Sequence, residues 1–260
     1  MNEETVARCL ERGHTGMMLL SSPSNPTGAA LDLEDFRALT TLADEHSVPL
    51  VVDNAYGSPF PQVAPSPSPV LDDSTLHLFT VSKAGLPGVR LGFAVGPRRF
   101  VDPIVGFLSN AALHAPALPQ DVLAEMLASG RLDQLVADHI RPHYRDRWVT
   151  FQRMVAAHLG PVVEHEIHDG GGMFAWIRFP GGDIDDIQLY ERLKTRGLFT
   201  VPGRFFFTPD PAGPAHRKQC LRLSIGSAED TTLDRALDLL AKVVQDLRDR
   251  RRSPLAGRAG

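Results

Sequence analysis

Cysteine is nearly absent from this chain: Cys9 and Cys220 are the only two in 260 residues. Two thiols without a spacing pattern exclude a disulfide scaffold and point to a reducing, cytoplasmic setting. Long apolar runs are missing too, so no segment reads as a membrane span. The first residues carry Glu3, Glu4 and Arg8 with no apolar stretch beside them, and no signal peptide is expected. No internal repeat stands out, and no metal-ligand cluster. His139 and His143 share helical i, i+4 spacing but lack a carboxylate third ligand, while His165 and His168 read as surface or supporting residues. A net charge of −4 offers no general attraction to nucleic acid. The exception, Arg248-Asp249-Arg250-Arg251-Arg252, reads as a solvated helix end that opens a disordered tail over 248–260.

Lysine is scarce as well. There are four, and Lys194, Lys218 and Lys242 lie in or near polar segments. Lys83 does not. It follows the apolar strand Leu76-His77-Leu78-Phe79 and sits in Thr80-Val81-Ser82-Lys83-Ala84-Gly85-Leu86-Pro87-Gly88-Val89-Arg90-Leu91-Gly92, poor material for helix or strand. A lysine past a strand end, flanked by hydroxyls and followed by an arginine, has a chemical use. Its amine can form a Schiff base, and Thr80, Ser82 and Arg90 can hold an anion such as a phosphate.

Two upstream strands end in similar fashion. Met17-Met18-Leu19-Leu20 runs into the turn Ser24-Asn25-Pro26-Thr27-Gly28, and Val48-Pro49-Leu50-Val51-Val52 runs into Asp53-Asn54-Ala55-Tyr56-Gly57. Between them Leu33, Phe36, Leu39, Leu42 and Ala43 keep helical spacing behind an acidic start at Asp32, Glu34 and Asp35. Strand–helix–strand followed by a third strand implies a parallel sheet, whose ligand groups gather at the carboxyl ends of the strands. Asn25, Asp53, Tyr56 and Lys83 all fall just past such ends. Taken singly, Asp53-Asn54 and Asn25-Pro26-Thr27-Gly28 are ordinary turns; together they describe one rim.

With 43% hydrophobic and 22% charged residues, the chain can bury a core and divides into two modest domains. The sheet unit occupies 1–117, with Phe93-Ala94-Val95 as a further strand. Connecting helices, interrupted near Pro142, occupy 118–159. A small α+β domain follows over 160–247. Its strands are Met173–Ile177, led in by Gly170-Gly171-Gly172, then Leu198–Val201 and Cys220–Ile225, with a helix over Ile187–Lys194 and a closing helix from Thr232. The proline-rich stretch Pro61–Pro69 reads as a stiff spacer loop.

The motifs Asn25-Pro26-Thr27-Gly28, Asp53-Asn54-Ala55-Tyr56 and Ser82-Lys83, the last followed by Pro87-Gly88-Val89-Arg90-Leu91-Gly92, resemble those of the class I/II aminotransferases, fold-type-I pyridoxal-phosphate enzymes. Val52-Asp53-Asn54-Ala55-Tyr56-Gly57, Ser82-Lys83-Ala84-Gly85-Leu86-Pro87-Gly88, Val201-Pro202-Gly203 and Gln219-Cys220-Leu221-Arg222 are most similar to the valine–pyruvate branch of that family. The resemblance runs from about Gly16 to the last helix. It implies an α/β fold: part of a fold-type-I large domain, a mostly parallel sheet with flanking helices, and the small C-terminal domain. It also implies pyridoxal 5′-phosphate as cofactor, with Lys83 holding it as an aldimine and then serving as the proton-moving base. Asp53 would keep the pyridine nitrogen protonated. Asn25 and Tyr56 would bond the ring 3′-oxygen, and Thr80, Ser82 and Arg90 the phosphate. Arg222 would grip the substrate α-carboxylate with a planar fork; by itself it reads equally as a strand arginine that snorkels.

The implied reaction moves an amino group, by a ping-pong route, between an α-amino acid, aliphatic and valine-like by the branch resemblance, and a 2-oxo acid such as pyruvate, in a homodimer serving amino acid biosynthesis. Val201-Pro202-Gly203 together with Arg222 favours transamination over the lyase, cyclase or decarboxylase activities built on the same residues. Phe205-Phe206-Phe207 offers an aliphatic side-chain pocket or plain core packing. The family pattern has roughly 100–150 further residues ahead of Met17, including a phosphate-cradling helix N-terminus, a ring stacked on the cofactor and much of the dimer interface. None of these is found, and Gly13-His14-Thr15-Gly16 reads as a helix-to-strand turn. The alternative is therefore a non-catalytic remnant, or half of a split enzyme. Alone, residues 1–260 are expected to bind the cofactor weakly, to transaminate poorly, and to expose a sticky sheet edge.

Overall fold

The computed structural model describes residues 3–165, 172–208 and 215–252. The chain forms two compact units, Met1–Arg145 and Asp146–Gly260, so the division falls inside the helical stretch expected to connect the domains.

The first unit opens with helix α1 (Glu3–Glu11), strand β1 (Met18–Ser21), helix α2 (Leu33–Glu45), and strands β2 (Leu50–Asp53), β3 (Thr75–Thr80) and β4 (Gly92–Val95). Helix α2 starts where its residues dictate. Asp32 caps it, accepting from the Asp35 N–H at 2.8 Å, and Glu34 and Asp35 lie at the positive end of the helix dipole. Phe36, Leu39 and Ala43 point inward onto Leu50 and Val52. Each large side chain buried in this way contributes about 1.5–3 kcal/mol.

The sheet order is β1-β2-β3-β4. β1 and β2 run parallel, as do β2 and β3, with Ser21 opposite Asp53 and Asp53 opposite Leu78. β4 returns antiparallel, with Thr80 opposite Gly92. Only glycine fits at 92, because a Cβ there would stand 2.8 Å from the Phe79 carbonyl oxygen. Pro61–Pro69 is more than a spacer: Val63 and Ala64 are buried, and Ser66 Oγ accepts from the Ser58 N–H at 2.9 Å.

Helices α3 (Arg98–Ala111), α4 (Ala117–Ala128) and α5 (Arg131–Leu135) follow, then a π-helical turn over Val136–Ile140 and helix α6 (Arg141–His158). Helix α3 has no counterpart in the sequence reading. Its N-cap is Pro97, Pro103 lies inside it, and none of its residues is buried. The interruption expected near Pro142 takes the form of the π turn just before it, since proline is tolerated only in the first turn of the helix that follows. Among the described residues, no helix is long and apolar enough to cross a membrane, and no group of three or more His, Cys, Asp or Glu could hold a metal.

In the second unit, strands β5 (Glu164–His165) and β6 (Phe174–Arg178), helix α7 (Asp186–Lys194), strands β7 (Val201–Pro202) and β8 (Cys220–Ser224) and helix α8 (Asp230–Arg252) form an antiparallel sheet of order β5-β6-β8-β7 against helices. Phe151, Leu159, Ile177, Leu189, Leu193, Leu221, Leu237, Leu240, Val243 and Val244 are wholly enclosed in its core. The strand expected over Leu198–Val201 pairs only at Val201 and Pro202, because the Leu198 N–H is spent on the Leu193 carbonyl at 3.0 Å, and the chain then turns into a 3₁₀ segment at Gly203–Phe206. Residues 248–252, expected to open a tail, belong to helix α8. Arg248 donates to Asp183 at 2.6 Å and to the Pro180 and Val162 carbonyls, so α8 runs on to Arg252. Residues 253–260 lie outside the described residues, as do His168 and the glycines at 170 and 171.

Candidate active site

Register brings the strand ends together in the first unit. The Ser22 N–H donates to the Asp53 carbonyl at 2.9 Å, and the Asn54 N–H to the Leu78 carbonyl at 2.8 Å, so the chain leaves β1, β2 and β3 along one rim. Asp53 is half-buried, and its Oδ1 accepts from the Ala55 N–H at 3.0 Å, which turns the chain toward Tyr56. On the neighbouring exit, Ser24 and Gly28 close the Asn25 turn through the Gly28 N–H to the Ser24 carbonyl at 2.7 Å; Gly28 has φ +79°, and both Asn25 and Thr27 are half-buried.

Lys83 is half-buried on a turn anchored beneath by Val81 and Ala84, both fully buried against Phe60, Leu91, Leu123, Leu132 and Val136. Its Nζ stands 5.9 Å from the centre of the Tyr56 ring, so the lysine and tyrosine singled out from sequence share one space. Thr80, Ser82 and Arg90 converge as well. The Ser82 N–H donates to Thr80 Oγ1 at 3.1 Å, the two hydroxyls are 3.1 Å apart, and Arg90 Nη1 reaches Ser82 Oγ at 3.4 Å and the Pro87 carbonyl at 3.5 Å. Arg90 holds the left-handed conformation at φ +53°, uncommon for a residue with a side chain. An arginine head in reach of Ser82, whose hydroxyl meets that of Thr80, can hold an anion next to the Lys83 amine in the chain.

Two residues of this rim carried little signal in the sequence. Asn54 Nδ2 donates to the Val52 carbonyl at 3.1 Å and lies 3.2 Å from His77 Nδ1, while His77 Nε2 lies 2.9 Å from the Val70 carbonyl. This network assigns His77 as neutral, with its proton on Nε2. Burial pushes the imidazole below its ordinary value, against the opposing pulls of the Val70 carbonyl and the Asp72 charge. An open apolar cleft of about 370 Å³, lined by Phe60, Phe79, Phe93, Val95 and Leu127 among others, holds none of the polar groups of the rim.

Arg222 belongs to the second unit. It stands on β8 opposite Trp176, with Leu221 and Leu223 on either side turned into the core. Its guanidinium lies 4.3 Å from the Phe174 ring centre and 5.2 Å from that of Phe206. The turn bearing Phe206 is tied down by Asp186, which accepts from the Arg204 backbone N–H at 2.8 Å and from its Nε at 2.6 Å; Asp185 accepts from Nη2 at 2.6 Å. Phe206 and Phe207 pack on Trp176, whereas Phe205 is exposed.

A family model described as aminotransferase class I and II matches residues 3–240. The chain belongs to that family. It is 32% identical to the valine–pyruvate aminotransferase of Escherichia coli K12 over 233 residues, covering 89% of this chain and 55% of that protein. The crystal structure of the valine–pyruvate aminotransferase of Salmonella typhimurium superposes with a TM-score of 0.84 at 30% identity, covering 90% of this chain and 60% of that one. The α-aminoadipate aminotransferase LysN of Thermus thermophilus, solved with N-(5′-phosphopyridoxyl)-L-leucine, shares the fold with a TM-score of 0.77 at 22% identity, covering 95% and 63%. The chain thus spans less than two thirds of the length of each. Aminotransferases of this family are pyridoxal-phosphate enzymes, and the α/β architecture of this chain is that of fold type I.

Proposed function

We propose that the chain carries the lysine side of a pyridoxal-phosphate aminotransferase site that moves an amino group between an aliphatic, valine-like amino acid and a 2-oxo acid such as pyruvate. The observation that carries this reading is the convergence of Lys83 and Tyr56 beside the Thr80–Ser82–Arg90 cluster, on the rim that also bears Asp53.

The donor set fits the cofactor group by group. Thr80, Ser82 and Arg90 suit a phosphate, Asp53 a protonated ring nitrogen, Asn25 and Tyr56 a phenolic oxygen, and the Lys83 amine an aldehyde carbon. When bound, the cofactor supplies an electron sink for the charge left as the α-proton departs. In this reading Lys83 Nζ takes the proton from the substrate α-carbon and later returns one. Asp53, fixed by the Ala55 N–H, holds the positive charge that makes the sink effective. The Arg222 fork receives the α-carboxylate.

A homodimer is part of the proposal. Val105, Phe107, Leu113, Leu118 and Val122 are exposed on and around α3 and α4, and apolar surface of that extent suits a second copy. Two free cysteines support a cytoplasmic setting, and the family supports a place in amino acid biosynthesis.

The test is alanine formation from valine and pyruvate by the full chain supplied with pyridoxal phosphate. Turnover is expected to be slow, with parallel double-reciprocal lines, and to be lost in Lys83→Ala. Turnover that survives Lys83→Ala would end the proposal.

A further inference from the structure

We propose that Phe174 and Phe206 are positioning residues that clamp the Arg222 guanidinium between two rings, so that its edge meets a substrate carboxylate already oriented. The proposal rests on the reading of Arg222 as the carboxylate ligand and names what holds it in place.

The clamp follows from strand alternation. In Cys220–Ser224, Leu221 and Leu223 enter the core beside Leu237 and Leu240, which turns Arg222 to the other face of the sheet. On that face Trp176 lies directly across from Arg222 in register. Phe174, two residues back along β6 and opposite Ser224, is its diagonal neighbour. Its ring centre is 4.3 Å from the guanidinium carbon, well inside the range of cation–π attraction.

The other ring comes from a different element. β7 pairs Val201 with Arg222, and the 3₁₀ turn Gly203–Phe206 begins at once, bringing Phe206 to 5.2 Å from the guanidinium. Three contacts fix this turn. Gly203 presses on Cys220 so closely that a Cβ would stand 2.5 Å from the cysteine Cβ. Arg204 is bonded through backbone and side chain to the fully buried Asp186 carboxylate. The Trp176 ring meets Phe206 edge-on at 5.5 Å and 88°.

Stacking engages the faces of a guanidinium, while hydrogen bonds to a carboxylate leave from its edge, in plane. Two rings can therefore restrain the plane of Arg222 without competing for its donors. A flexible side chain held in this way loses less freedom when it binds, and the apolar rings exclude water from the ion pair.

The test is equilibrium binding of 3-methylbutanoate, which carries the carboxylate without a reacting group, to the full chain in the presence of pyridoxal phosphate, by calorimetry, with thermal midpoints recorded alongside. Phe206→Leu and Phe174→Leu should each weaken binding roughly 3- to 10-fold. Phe206→Tyr, which keeps the ring, should bind like the wild type, and the leucine variants should lose binding without a matching fall in thermal midpoint. Arg222→Lys should weaken binding more than either leucine variant. Unchanged binding in both leucine variants, with loss in Arg222→Lys, would overturn the clamp and leave the role of Arg222 standing. Unchanged binding in Arg222→Lys would remove the carboxylate role and the clamp with it.

Discussion

Replacing Asp186 with alanine tests whether the Val201–Phe207 segment is held as described. The Asp186 side chain is 0% exposed, and it accepts from the Arg204 backbone N–H at 2.8 Å and from its Nε at 2.6 Å. Removing it leaves a guanidinium and a backbone donor without their shared acceptor. Breaking a buried ion pair costs about 3–5 kcal/mol. Here Arg204 keeps Asp185 and is itself 30% exposed, so solvent and the second carboxylate recover part of the loss. The expected cost is about 2–3 kcal/mol. For a unit of about 115 residues, at about 4 °C per kcal/mol, the melting transition of the second unit should fall by about 8–12 °C. Asp186→Asn keeps an acceptor for the backbone donor and should lose less than half as much. Differential scanning calorimetry on the full chain reads both. A fall under about 3 °C for Asp186→Ala would refute the claim that this pair pins the turn.

Three further outcomes follow from other parts of the molecule. Burial pushes Asp185 up, but the Gln188 N–H, Arg204 and the Ile187 N–H together hold it below its usual 3.8; its contribution to stability is present above that value and lost as pH falls through the lowered one, so in urea titrations Asp185→Ala should flatten the acid limb. His77 is held below its usual 6.5, so the unfolded chain binds a proton that the folded one refuses, and stability should decline as pH drops below about 6.5. His77→Gln should remove that decline, and an unchanged slope would contradict the neutral assignment. Asp53→Ala should cost turnover far more than cofactor binding, with Asp53→Glu milder; normal turnover in Asp53→Ala would rule out its charge-holding role.

The first unit was legible because its signals are local. Apolar runs ending at Ser21, Asp53 and Thr80 are strands, the acidic start at Asp32 caps α2, and the polar groups past each run meet on a rim because parallel register demands it. Helix α3 was missed because Pro97 and Pro103 look like breakers, although Phe100, Val101, Ile104, Val105 and Leu108 keep helical spacing. The strand over Leu198–Val201 was overestimated because its first N–H, that of Leu198, is spent on the Leu193 carbonyl at the end of α7. The Asn54–His77 contact escaped notice because a histidine between Leu76 and Leu78 reads as core; its value lies in a bond across 23 residues. The Phe174–Arg222–Phe206 stack joins three elements and has no local signature either, although the alternation Leu221-Arg222-Leu223 already turned Arg222 away from the core.

The central claim is that Lys83 carries the cofactor. Borohydride reduction of the full chain incubated with pyridoxal phosphate, followed by peptide mapping, tests it directly. The account predicts the reduced phosphopyridoxyl group on the peptide containing Thr80-Val81-Ser82-Lys83, blocked in Lys83→Arg. Label on Lys194, Lys218 or Lys242 with Lys83 unmodified would contradict it.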